Sequence, residues 1–252
     1  MKWTFKVRQA LAVGLLLTIC TSCFYSRLLS FKNQLKAFDK YVAVSNDGST
    51  LDFLKPVVKP DDLTDLTGFP PTFIEQKPGG EQEHAYYYRS LSESAPPQML
   101  CFKIRYNADG LTAFDYPVAM AQVLGTNLIV SAAKAVGKSR LIQREYKLDW
   151  ASQCTNLTAE LVPSIEDVLE VFGPAQSGSN SSLGVWANYT FVLDQAANSR
   201  LRTNATLKAS FQFDPSNRLL RHGVVLIGKL QLVVEIPPVA PQSAVLSQAR
   251  PE

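Results

Sequence analysis

Residues 162–175, VPSIEDVLEVFGPA, decide the reading of this chain. Val168, Leu169, Val171 and Phe172 recur at helical spacing, and Gly173-Pro174 stops the run. Ser164 stands where an N-cap belongs, with Asp167 three residues later in the manner of a capping box. An aromatic stretch follows in VWANYTFVLD (185–194), then an alternating one in LKASFQFDPSNRLL (207–220), which ends in an Asp/Asn turn. The same succession occurs earlier. VKPDDLTDLTGFPP (58–71) carries Pro60 and two aspartates where a helix starts, and Gly68 with Pro70-Pro71 where it stops. HAYYYRS (84–90) and MLCFKIRYNADGL (99–111) then repeat the aromatic strand, the alternating strand and the turn. Pro163–Val224 therefore reads as a diverged second copy of Val58–Pro117. The expected fold is α+β: two tandem helix-plus-antiparallel-sheet modules after a signal segment and an N-terminal helix.

Working outward, residues 1–22 read as a signal peptide. Lys2, Lys6 and Arg8 form a basic start, and Ala10–Ile19 is an apolar run too short to span a bilayer. Thr21-Ser22 precede Cys23, so lipidation at Cys23, cleavage without lipid and an uncleaved anchor all stand as readings. Residues 23–54 hold an amphipathic helix over Ser26–Val42, with Leu28, Phe31, Leu35, Phe38 and Val42 on one stripe. Its apolar face either packs on the protein body or lies at a membrane surface. The first module with its linking helix takes 55–136, and Pro117–Val136 reads as a helix broken around Gly125. The second module takes 137–236, where Arg140–Trp150 leans towards strand and His222–Ile236 is rich in strand. Residues 237–252, with four prolines, read as a disordered tail.

The formal charge is +3, from 25 basic and 22 acidic residues. Three of the basic residues, and no acidic one, precede Cys23. The remainder is balanced, which leaves no electrostatic footprint for nucleic acid. Cys101 and Cys154 either pair in an oxidising compartment or remain two thiols. Neither zinc-ligand spacing nor a nucleophile motif occurs, and no cofactor is expected. His84 and His222, the two histidines, fall at strand ends as solvated or structurally bonded residues. The carboxylates of Asp61, Asp62, Asp65, Glu166, Asp167 and Glu170 fit helix starts and exposed faces. The residues best suited to function are aromatic. Tyr86, Tyr87 and Tyr88 put rings on both faces of one strand, and Trp186 and Tyr189 form a parallel set. These five are the candidate protein-binding anchors; the alternative is that helices cover one face and the rings shield the sheet. Sequons at Asn156, Asn180, Asn188 and Asn204 read as coincidence in a bacterial envelope protein.

SIEDVLEVFGPA, and more weakly DDLTDLTGFPP, resemble the "vl..lG.P" helix stop of the BamE/SmpA family of small outer-membrane lipoproteins. The tandem arrangement is also similar to the repeats of the β-lactamase inhibitory protein family. The first resemblance implies a lipidated cysteine, an address in the bacterial envelope facing the periplasm, and a non-catalytic accessory role. Its expected partners are the membrane, through the lipid, and another envelope protein. The second implies a secreted inhibitor or ligand-binding module with a concave sheet. The central Pro117–Trp150 segment has no counterpart in either family, and no functional residue is carried over.

Overall fold

The computed structural model describes residues 24–91, 98–138, 140–142, 147–153, 161–181, 184–194, 205–228 and 230–237. The signal segment, Cys23, Cys154, Asn156, Asn204 and the tail from residue 238 lie outside these. Helix α1 occupies residues 24–36, and a short α2, Phe38–Tyr41, leads into β1, Val42–Val44. Leu28, Leu35, Phe38 and Val42 are buried, and the Phe31 ring lies 5.3 Å from that of Phe53. Lys36 and Lys40 face solvent. The apolar stripe is thus spent on the protein's own core, which corrects the membrane-surface alternative. No helix of the described residues is long and apolar enough to cross a membrane.

Strand β2, Thr50–Phe53, follows a turn organised by Asp47, whose carboxylate accepts from the Ser49 amide and hydroxyl at 3.1 and 2.8 Å. Next come α3 (Pro60–Thr67), β3 (Phe73–Gln76), β4 (Gln82–Ser90), β5 (Met99–Tyr106) and β6 (Leu111–Asp115). Helix α4, Val118–Lys138, breaks at Gly125, whose φ of 68° and ψ of 149° leave the helical region. Strands β7 (Arg140–Ile142) and β8 (Lys147–Gln153) precede α5 (Ile165–Phe172). The chain continues with β9 (Ser177–Ser181), β10 (Gly184–Leu193), β11 (Thr206–Phe213), β12 (Leu220–Ile227) and β13 (Leu230–Glu235).

Helix α5 forms as its sequence dictates. The Ser164 amide donates to Asp167 Oδ2 at 2.7 Å, and Ser164 Oγ accepts from the Asp167 amide at 3.2 Å. Gly173, at φ 75°, takes the stop, and its N–H closes on the Leu169 carbonyl at 2.9 Å. In α3 the same reciprocal bond runs from the Lys59 amide to Asp62 Oδ2 at 2.8 Å, and Gly68 stops that helix at φ 82°.

All thirteen described strands join one sheet. Along its path the order is β1-β2-β6-β5-β4-β10-β11-β12-β13-β8-β7, with β3 beside β4 and β9 beside β10. Every pairing is antiparallel except that of β13 with β8. The succession of helix, short strand and three longer strands occurs twice, and its registers coincide. Phe73 pairs with Ala85 as Ser177 pairs with Asn188. Tyr88 pairs with Leu100 as Phe191 pairs with Leu207. Each third pairing slips by one residue at the same place, with Thr112 and Arg221 as the extra residues. The Leu111 amide donates to the Val58 carbonyl as the Leu220 amide donates to that of Pro163, both at 2.8 Å. Gly110, at φ 143°, lets the first of these turns press against the backbone of Val57 and Val58, where a Cβ would meet the Val58 carbonyl oxygen at 2.8 Å.

Strands β4 and β10 pair through Ser90–Phe191, Arg89–Val192 and Tyr88–Leu193, and this contact makes the two halves one sheet. One face carries Tyr86, Tyr88, Leu100, Ile104, Tyr106, Tyr189, Phe191, Leu207, Phe211 and Phe213, and all of these are buried. They belong to a core shared by both halves and covered by the helices; Phe172 of α5, for example, lies 5.1 Å from the Phe211 ring. Most alternate residues of the same strands, among them Tyr87, Cys101, Lys103, Asn188, Ser210 and Val224, are at least partly exposed, whereas Glu83 and Ala85 beside β3 are buried. The sheet is therefore covered on one side and open on the other, as antiparallel sheets allow.

Candidate functional site

Alternation along β4 and β10 sorts the five aromatic candidates. Tyr86 and Tyr88 are 4% and 3% exposed and Tyr189 is 2% exposed, because all three point towards the helices. This corrects their expected role as surface anchors. Burial raises their hydroxyl pKa values, that of Tyr189 to about 12. Tyr87 and Trp186 lie on the open face and are part-exposed. Cys101, directly across from Tyr87, is a free thiol held in its protonated form by burial. Cys154, the other cysteine of the expected pair, lies outside the described residues, and Cys101 sits within β5 on the open face beside β4.

Trp186 leads to a site. It pairs in register with Gln212, Gln212 with His222, and His222 with Glu235. Residues in register share a face, so four side chains from β10, β11, β12 and β13 form one row, about 14 Å long at the usual strand spacing. The indole meets the His222 ring edge-on, with centroids 6.4 Å apart and planes at 67°. The bulge puts Arg221 beside His222 and re-aims it, as extra residues at strand ends do. Its Nε lies 3.9 Å from Asp214 Oδ2. Asp214 is already engaged, accepting from the Ser216 amide at 2.9 Å, the Ser216 hydroxyl and the Asn217 amide. These bonds, with Arg221 as a smaller contribution, lower its pKa and keep it ionised. Ile236 donates its amide to the Arg221 carbonyl at 2.9 Å and, with Pro237, closes the end. The result is an open cleft of about 590 Å³.

The cleft holds an aromatic surface with acceptors, donors and an amide around it. Among the described residues its lining includes no serine, threonine or cysteine. Among the described residues no three His, Cys, Asp or Glu side chains are placed to hold a metal ion. Arg221, Asp214, Gln212 and Glu235 carried no signal in the sequence, since the cross-strand row and the bulge exist only once the strands are paired.

His84, the other histidine, is buried on the covered face at 4% exposure, against the Tyr106 ring at 4.9 Å. Its Nε2 faces Gln82 Oε1 at 3.2 Å, and Nδ1 has no partner among the described residues. Burial lowers its pKa below 6.5, outweighing the pull of Asp61. Between that lowered value and 6.5 the unfolded chain binds the proton and the folded chain does not. Stability from this group is therefore complete above pH 6.5 and declines as pH falls through that window. Chemical denaturation at pH 7.5 and 5.5 should show that loss, and His84→Leu should reduce it.

No protein family, curated protein or solved structure matches this chain.

Proposed function

We propose that the chain is a non-catalytic accessory lipoprotein of the bacterial cell envelope. In this reading it is tethered through Cys23 at the outer membrane facing the periplasm, and its body is two tandem copies of one α+β module. The coincident registers of the two halves support the duplication. The observation that carries the binding role is the open sheet face, continuous across both halves, while the described helices serve the other side. On it Tyr87 stands at the junction of the halves, across from Cys101 on one side, while its carbonyl accepts from the Asp194 amide at the end of β10 at 2.8 Å. Part-exposed tyrosine combines large contact area with little conformational freedom to lose, which suits a protein anchor.

Intact mass of the membrane-extracted protein tests the tether. A diacyl or triacyl adduct absent from Cys23→Ser is the expected result. A bare cleaved chain in the soluble fraction would instead favour a diffusible inhibitor or ligand-binding module acting through the same face. Tyr87→Ala tests the contact: co-purification of an envelope partner should be lost while stability changes by no more than about 0.5 kcal/mol, as is usual for surface positions. A large fall in stability would make Tyr87 a structural residue.

A further inference from the structure

The cleft of the second half has a composition that protein docking does not require. We infer that it is a binding site for a neutral oligosaccharide, with Trp186 as the stacking platform. The cleft begins near the start of β10, at the opposite end of that strand from Tyr87, and the proposal does not depend on lipid at Cys23.

Three observations point to this ligand chemistry. First, the indole is part-exposed and held edge-on by His222 at 6.4 Å. A pyranose ring offers a face of C–H groups that packs on the negative π face of an indole, while its rim carries hydroxyls. Second, each hydroxyl both donates and accepts, so a site for several of them needs both kinds of partner. Glu235 supplies acceptors, Arg221 supplies donors, and Gln212 and His222 supply one of each. Third, the row runs across four strands in an open cleft of about 590 Å³, which suits a chain of rings entering from the side.

Charge narrows the choice. Asp214 and Glu235 set two carboxylates against the single guanidinium of Arg221, so an anion gains nothing here. A cation would sit beside that guanidinium, and Asp214 is already turned towards Arg221 and Ser216. A neutral polyol suffers neither repulsion.

The test titrates the mature full-length protein with chitotetraose and with cellotetraose, read by calorimetry and tryptophan fluorescence. Saturable binding of at least one sugar is expected. Trp186→Ala should weaken it at least tenfold, Trp186→Phe should restore part of the loss, and Tyr87→Ala should leave it unchanged. Thermal melts establish that each variant is folded; should Trp186→Ala not fold, Trp186→Phe and Glu235→Gln carry the test, each expected to weaken binding severalfold. No saturation by either sugar up to about 10 mM, the range of the weakest useful affinities, would overturn the proposal. So would sugar binding indifferent to Trp186 and Glu235, or a tetralysine peptide binding at the cleft where neither sugar does.

Discussion

Phe172→Ala should destabilise the protein by about 4 kcal/mol, the middle of the range for emptying a large aromatic site in a core. Phe172 is 2% exposed at the last turn of α5. Its ring lies 5.3 Å from that of Tyr189, 6.0 Å from Phe191 and 5.1 Å from Phe211. Those three residues sit on two adjacent strands, so one side chain seats the helix on the centre of the second half. Alanine removes the buried area and the edge-to-face contacts, and the neighbours, fixed by strand pairing, cannot collapse into the space. For a chain of this size the melting temperature should fall by about 8–16 °C. Phe172→Leu should cost roughly half as much, because most of the volume is refilled. A loss below 1 kcal/mol in the alanine variant, measured by urea denaturation, would mean that α5 is not seated by this ring.

Arg27→Met should cost about 3 kcal/mol for a different reason. Arg27 of α1 donates from Nε to Asp62 Oδ2 at 2.7 Å and from a terminal nitrogen to Oδ1. Asp62 is 1% exposed and also receives the Lys59 amide. Removing the guanidinium leaves a carboxylate in the interior with one backbone partner, and breaking a buried pair in this way typically costs 3–5 kcal/mol. The Arg27 side chain is 34% exposed, so water reaches the gap and the lower end of that range applies. Arg27→Met combined with Asp62→Leu should be milder than Arg27→Met alone, since no unpaired charge remains, although the helix loses a cap worth about 1 kcal/mol. A double variant as unstable as the sum of its parts would show that packing of α1 on α3 through Leu28 and Leu66, rather than charge, is what Arg27 supports.

Much of the local structure was legible. The capping box at Ser164, the stops at Gly68 and Gly173, the break at Gly125 and the alternation of Leu100–Tyr106 all appear where the residues put them. Each depends on groups within a few positions of one another. The site was not legible in this way. Alternation shows that Tyr86 and Tyr88 share a face but not that helices cover it. That depends on α3 and α5 crossing one particular side, a long-range choice. The cleft is further removed: Trp186 and Glu235 are 49 residues apart in number and come together only through three successive strand registers.

By itself the sequence determined the helices, the aromatic and alternating strands of each half in their repeated order, and the α+β class, because caps, glycine stops and periodicity act over one or two turns; β3, β6 and β9 carried no such local signal. Tertiary structure alone decided that β4 and β10 would fuse the halves, that β8 would join β13 in parallel, and that Tyr87 and Trp186 would stay in solvent while Tyr86, Tyr88 and Tyr189 went inside. Backbone pairing between strands is set by which surfaces must be buried together, and that balance is struck over the whole chain at once.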